Sequence, residues 1–173
     1  MAAATLADAS NPWLSWTYVQ DYWPELVAAG KEHVYLTVAS VVLAIIVAIP
    51  LAMLIRRMPV LNGPILGLSG VLYTIPSLAL ISLLWPVFGL SPWTVIVALA
   101  VYGLLVVLRN IVVGLQEVPG DVLDAADGMG LTNRQILTRV SLPLALPTIL
   151  AGIRIATVST VGMVTIGALV GYG

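Results

Sequence analysis

The sequence predicts an all-α polytopic membrane protein with at least four transmembrane helices. Hydrophobic residues make up 60% of the chain and charged residues only 9%, with a mean hydropathy of +1.07. An ordinary soluble domain carries roughly 25% charged residues. Residues 34–55 and 58–108 contain no Asp, Glu, Lys or Arg. Against that background, residues 121–147, DVLDAADGMGLTNRQILTRVSLPLALP, form a polar helix–turn–helix insert between apolar segments. A membrane protein places such an insert in water to meet something there.

The N-terminus, MAAATLADASNP, lacks the basic n-region of a cleaved signal peptide, so the first apolar span is expected to be kept as an anchor. Residues 1–33 read as an external interfacial segment. Trp13, Trp16, Tyr18, Tyr22 and Trp23 suit an aromatic belt, because such rings bury an apolar body and keep a polar edge wet. Residues 34–173 read as the transmembrane domain, with a water-facing loop at 119–142.

As a helix, residues 34–55 measure about 33 Å, enough for a hydrocarbon core of about 30 Å. The run 58–108 would be about 75 Å long as one helix, so it is expected to cross twice and turn at Phe88-Gly89-Leu90-Ser91-Pro92. The second and third spans fall near 64–88 and 92–109. A fourth begins near Pro143 and runs to about Val170, interrupted by Arg154. A cation is costly at the bilayer centre, which favours Arg154 snorkelling to an edge over lining a path.

Arg56 and Arg57 follow span one, and Arg109, Arg134 and Arg139 lie between spans three and four, against Lys31 alone before span one. The positive-inside rule then puts both arginine-bearing loops in the cytoplasm and the N-terminus outside.

Pro50, Pro76 and Pro86 each remove a backbone donor within a span and are expected to kink it. Tyr73, Thr74, Pro76 and Ser77 are the candidate translocation-path residues, since a freed carbonyl beside hydroxyl groups offers polarity at membrane depth. Thr and Ser bonding back to their own helix is an equally good reading. Gly63, Gly67, Gly70, Gly152, Ala156 and Gly162 are expected to permit close helix packing.

In the insert, Asp121 is the expected N-cap of a first helix over about 122–127, with Asp124 completing a weak capping box. Gly128 and Gly130 supply positions free to adopt positive φ. Thr132 and Gln135 form a standard T-x-x-Q box opening a second helix over about 133–140, which the residues before Pro143 should stop. The insert is too small to bury a core of its own, so a partner is expected to cover it. Asp121, Asp124 and Asp127 in the first half, and tethering at both ends, argue against a DNA-binding role.

Asp124-Ala125-Ala126, Gly130 and Val140-Ser141-Leu142-Pro143 resemble the EAA loop of membrane subunits of binding-protein-dependent ABC importers, EAA-x3-G-x9-I-x-LP, at matching spacing. The chain departs by Asp for Glu at 124 and Val for Ile at 140. TIPSLAL at 74–80, LRN at 108–110, GMGLTNRQ at 128–135 and LPLALPTILAGIR at 142–154 are similar to the branch importing glycine betaine, choline, carnitine and related osmoprotectants.

The resemblance implies a type I ABC importer permease-like helix bundle in a bacterial or archaeal cell membrane. It implies coupling to a cytoplasmic ATPase through Asp121, Asp124, Ala125, Ala126, Gly128, Gly130, Gln135, Val140, Leu142 and Pro143. It further implies an external solute-binding protein, a second permease copy or paralogue, and ATP with Mg on the ATPase rather than on this chain. The chain itself has no G-x-x-x-x-G-K-[ST] to cradle phosphates. Family members usually continue past LVGYG into a further span, so the bundle is expected to be shortened at its C-terminus.

Two other classes are weighed against this. An ion-coupled secondary transporter or channel usually places ionisable groups within its spans, and here the spans hold no acidic residue. A membrane enzyme needs a nucleophile–base pair or a metal cluster; the chain has one His, His33, and no Cys. A permease for another small solute, such as an amino acid, is the nearer alternative.

Overall fold

The computed structural model describes residues 16–168, 171 and 172; Trp13 lies outside them. Its elements are α1 (Trp16–Asp21), α2 (Trp23–Arg57), a 3-10 turn (Pro59–Leu61), α3 (Asn62–Thr74), α4 (Ser77–Phe88), α5 (Pro92–Gln116), α6 (Gly120–Gly128), α7 (Asn133–Gln135), a π-helical segment (Ile136–Ser141) and α8 (Leu142–Gly167). All described elements are helical, as the sequence predicts.

The core is a layer of three long helices. Leu36 of α2 packs with Val95, Ile96 and Leu99 of α5 at one end, while Ala48, Ala52 and Ile55 meet Val107, Leu108, Ile111 and Val112 at the other. Low numbers meet low numbers, so α2 and α5 run parallel. Val164 of α8 joins the first cluster and Ala156 the second, which makes α8 antiparallel to both.

Two parallel spans joined by α3 and α4 require those helices to carry the chain back across the layer. Ile65 and Leu66 of α3 pack on the Ile55 end, and Leu80 and Ile81 of α4 pack on Ala98 and Tyr102 nearer the start of α5. The pair therefore leads from one end of the layer to the other. It does so as two helices bent by 100°, not as the single kinked helix expected over 64–88.

Pro76 is the cause. Ile75 (φ −67, ψ 129) and Pro76 (φ −56, ψ 137) are both extended, since the proline ring excludes its predecessor from the helical region. Two carbonyls near the break find partners: Tyr102 Oη donates to Ile75 O, and Leu80 N–H to Pro76 O at 3.0 Å. The Tyr73 and Tyr102 rings also meet edge to face, with centroids 5.7 Å apart. By contrast Pro50 and Pro86 sit inside unbroken helices.

Helix ends differ from expectation in two places. Span one begins eleven residues early, at Trp23, with Pro24 in its first turn, so much of the segment expected to be merely interfacial is helical. Span three continues through Arg109 to Gln116, and that arginine lies on an exposed helix face rather than in a loop. The turn at 88–92 forms where expected: Gly89 adopts φ +67 to end α4, and Pro92 opens α5.

Close packing uses other small residues than the glycines of span two. Nothing lies within 4 Å of a Cβ built on Gly63, Gly67, Gly70 or Gly162. An added Cβ would instead lie 3.2 Å from Ala44 Cβ at Gly103 and 3.1 Å from Ala145 O at Gly114, and would clash with Asn110 at Gly152 and with the Tyr172 backbone at Gly167. Ala44, Ala48 and Ala52 form the facing stripe on α2, each almost fully buried. In lipid, helices associate by van der Waals fit rather than by expelling water, so backbone proximity stabilises the layer. Buried Ser40 and Thr160 bond back to Leu36 O and Ala156 O at 2.7 and 2.8 Å, whereas the buried Thr37 Oγ1 on α2 has no partner among the described residues.

Two outcomes follow from this packing. Gly152→Ala, which drives a methyl into Asn110, is expected to destabilise the protein by about 1–3 kcal/mol and lower its melting temperature in detergent, whereas Gly162→Ala leaves it unchanged or slightly higher. Tyr102→Phe leaves Ile75 O without its partner and should cost about 1–3 kcal/mol, read in the same melting assay.

Candidate coupling loop

The insert leaves α5 at Glu117 and turns at Val118-Pro119. Val118 is buried, and Pro119 (φ −58, ψ 136) is the N-cap of α6. Asp121 therefore lies in the first turn rather than at the cap. Its Oδ1 accepts only from the neighbouring Val122 N–H at 3.0 Å, and the expected Asp121/Asp124 capping box does not form. Proline fixes the turn two residues earlier than side-chain capping at Asp121 would. The carboxylate still sits near the positive helix end, where it is stabilising.

α6 has two faces. Ala126 is 1% exposed and, with half-buried Val122 and Leu123, faces inward. Asp121, Asp124, Ala125 and Gly128 are exposed, at i, i+3, i+4 and i+7, and so form one stripe. Of the two alanines expected to meet a partner, only Ala125 is on the surface. The smallness of Ala126 serves the packing of α6 onto the chain itself.

The end of α6 explains Gly130. Its φ is +80, its N–H bonds to Asp127 O at 2.8 Å, and Leu131 N–H reaches back to Ala126 O at 3.2 Å. This is a Schellman closure, in which the residue past the cap takes the left-handed conformation that glycine adopts without steric cost. Gly128 does not share that role: it is the last helical residue, and its φ is not positive. Between the two glycines Met129 stands 72% exposed, an apolar knob at the tip that sequence reasoning missed. An apolar residue between two glycines was the available signal.

The second helix opens as predicted. Thr132 Oγ1 accepts from Gln135 N–H at 3.4 Å, and Gln135 Oε1 accepts from Thr132 N–H at 2.8 Å, closing the capping box. Gln135 is thus engaged internally. The expected stop before Pro143 does not occur, because the chain widens into a π-helix over Ile136–Ser141 and runs straight into α8. Leu142 N–H bonds to Leu137 O, five residues back, and this wider winding carries the helix past a residue without a donor. Val140 is half-buried, while Leu142 and Pro143 are exposed on the first turn of α8. They belong to the rod behind α6, not to its outer stripe.

α6 packs on the π segment, so it touches the root of a span directly. Beneath it lies a cavity of about 280 Å³ lined by Leu123, Ser141, Ile55, Arg56, Asn62 and Gln116 among others. Asn62 Oδ1, which is buried, has no protein partner. The four path residues sit at the 100° break: Tyr73 is exposed, Thr74 Oγ1 donates to its own helix at Val71 O (2.7 Å), and Pro76 and Ser77 open the second half. The alternative reading of Thr74 as self-bonded is the one seen. Tyr102, which ties the break to α5, was missing from that group; an in-span tyrosine hydroxyl that must find a partner was its signal.

Residues 39–173 match the family described as binding-protein-dependent transport system inner membrane component. The chain is 36% identical over 157 residues to the glycine betaine/carnitine/choline transport system permease protein OpuCB of Bacillus subtilis, covering 91% of this chain and 72% of that protein. It is 37% identical over 161 residues to the osmoprotectant import permease protein OsmW of Salmonella typhimurium (90% and 75%), and 35% identical over 156 residues to the choline transport system permease protein OpuBB of Bacillus subtilis (90% and 72%). A multi-pass helix bundle with a capped polar insert, joined to these identities, makes the chain a member of the binding-protein-dependent transport system inner membrane component family.

Proposed function

We propose that this chain is the permease subunit of an ATP-driven importer for quaternary-ammonium osmoprotectants such as glycine betaine, choline or carnitine. The observation that carries the reading is the outer stripe of α6, Asp121, Asp124, Ala125 and Gly128, presented on a helix that Gly130 locks and that rests on the root of α8. The names of the similar permeases support the substrate class. Arg56, Arg57, Arg134 and Arg139 at the α6 end support a cytoplasmic position for it and an external N-terminus.

In this reading the ATPase is a separate cytoplasmic subunit that holds ATP and Mg, and its cleft grips the α6 stripe. The aspartates meet basic groups, Ala125 and Gly128 allow a close backbone approach, and Met129 fills an apolar notch. Displacement of α6 moves the π segment, and with it α8, against α2 and α5. An external binding protein delivers the solute, and a second permease copy or paralogue completes the path. The Tyr73–Ser77 break contributes polar backbone at membrane depth, and the Tyr73 ring offers a face to a cation that has no proton to donate.

The test is reconstitution with the ATPase and the binding protein, followed by uptake of labelled glycine betaine. ATP-dependent uptake that choline or carnitine competes for is expected; uptake driven by an ion gradient without the ATPase would overturn the reading. A cysteine at Ala125 should cross-link to the ATPase in the assembled complex, while one at Ala126 should not, since that side chain faces the permease. Gly130→Val forces a β-branched residue into left-handed backbone at about 1–2 kcal/mol and is expected to abolish solute-stimulated ATP hydrolysis while leaving membrane insertion intact.

A further inference from the structure

A groove of about 680 Å³ opens beside α6, between the end of α2 and the start of the α7–α8 rod, lined by Met53, Arg56, Arg57, Asn133, Arg134 and Leu137. Its size is within the roughly 300–1,000 Å³ of ligand clefts. Three arginines from two elements remote in sequence line it, and no carboxylate is among its lining residues. Mutual repulsion of three cations is unfavourable unless an anion or solvent screens it.

The lining is graded along the membrane normal. On α2, Met53 lies about one turn closer to the bilayer than Arg56 and Arg57; on the antiparallel rod, Leu137 lies about one turn closer than Arg134. Both walls thus pass from cationic to apolar in the same direction. That gradient matches a phospholipid entering headgroup outermost, its phosphate at the guanidinium forks and its glycerol and acyl roots against Met53 and Leu137. Asn133 adds an amide able to donate to a headgroup oxygen. A free phosphate would use only the outer half.

We propose that this groove is a binding site for the phosphate of an anionic phospholipid in the leaflet at the α6 end. The site requires that this end meet a membrane face, whichever way the chain is inserted.

The test uses the assembled transporter in nanodiscs of equal phosphatidylglycerol and phosphatidylcholine, with retained lipid read by native mass spectrometry. Phosphatidylglycerol should be retained in preference. Each Arg→Gln change at 56, 57 or 134 should lower that preference about fivefold, the factor for about 1 kcal/mol per basic residue near the surface, and the triple variant should lose it. Should the triple variant fail to assemble, Arg134→Gln alone carries the test, because that side chain is exposed in the first turn of its helix. Excess inorganic phosphate should leave lipid retention intact. Equal retention of both lipids, unchanged preference in the variants, or full displacement by inorganic phosphate would each overturn the proposal. So would variants that release the ATPase while holding lipid normally, an outcome that would make the groove a protein-docking surface. Cysteine accessibility from each side tests the orientation separately, so an inverted chain would refute that reading without touching the lipid result.

Discussion

A backbone amide or carbonyl in hydrocarbon must find its partner inside the protein, and each break in this bundle is built around that requirement. At Ile75-Pro76 the span bends by 100°, and Tyr102 from α5 takes up the Ile75 carbonyl. At Pro143 the chain does not break at all, because a π-helical winding shifts the hydrogen-bond register one residue before the proline arrives. At Gly89 a left-handed glycine ends one helix, and Thr94 Oγ1 donates to the Gly89 carbonyl at 2.6 Å. Proline supplies the same perturbation at 76 and 143, and the local means of repair decides whether it makes a hinge or a continuous rod.

The continuous rod gives the insert mechanical meaning. Had the helix stopped before Pro143, α6 and its successor would hang from the bundle on two flexible tethers. Instead the segment touching α6 is the root of α8, and α8 packs along α5 with Gly152 against Asn110 and Gly114 against Ala145 and Thr148. Close-packed interiors transmit displacement rather than absorb it. A push on α6 therefore reaches the three-helix layer through helix alone, the π segment being the softer stretch.

Much of this was legible in the sequence because it is local. The uncharged runs announced the long apolar helices, Thr132 and Gln135 announced their capping box, and Gly130 announced a left-handed helix end. What was not legible depended on neighbours. Asp121 is a good cap by composition, but Pro119 had already set the turn. Gly63, Gly67 and Gly70 have the spacing of a packing face, yet among the described residues nothing lies close against them, whereas the seam on α2 is made of Ala44, Ala48 and Ala52, which look like ordinary span residues. The two alanines of the DAA motif are equivalent in sequence; only the rotation of α6 on the π segment separates the surface Ala125 from the buried Ala126. Tyr102 fell outside the site because its role is to complete a break lying 27 residues away.

The same end of the bundle holds the α6 stripe, the cavity beneath it and the arginine groove beside it, and Arg56 lines both spaces. Acidic groups at Asp121, Asp124 and Asp127 and basic groups at Arg56, Arg57 and Arg134 are thus sorted onto different surfaces of one small region rather than paired across it. Such sorting fits two partners of opposite charge. A surface that only needed hydration would gain nothing from segregating its charges, since exposed pairs of either arrangement contribute little to stability. In the proposed coupling, segregation has a use: a carboxylate stripe that is free of the permease's own arginines follows a basic cleft without first breaking internal ion pairs, and the arginines are left for the proposed lipid.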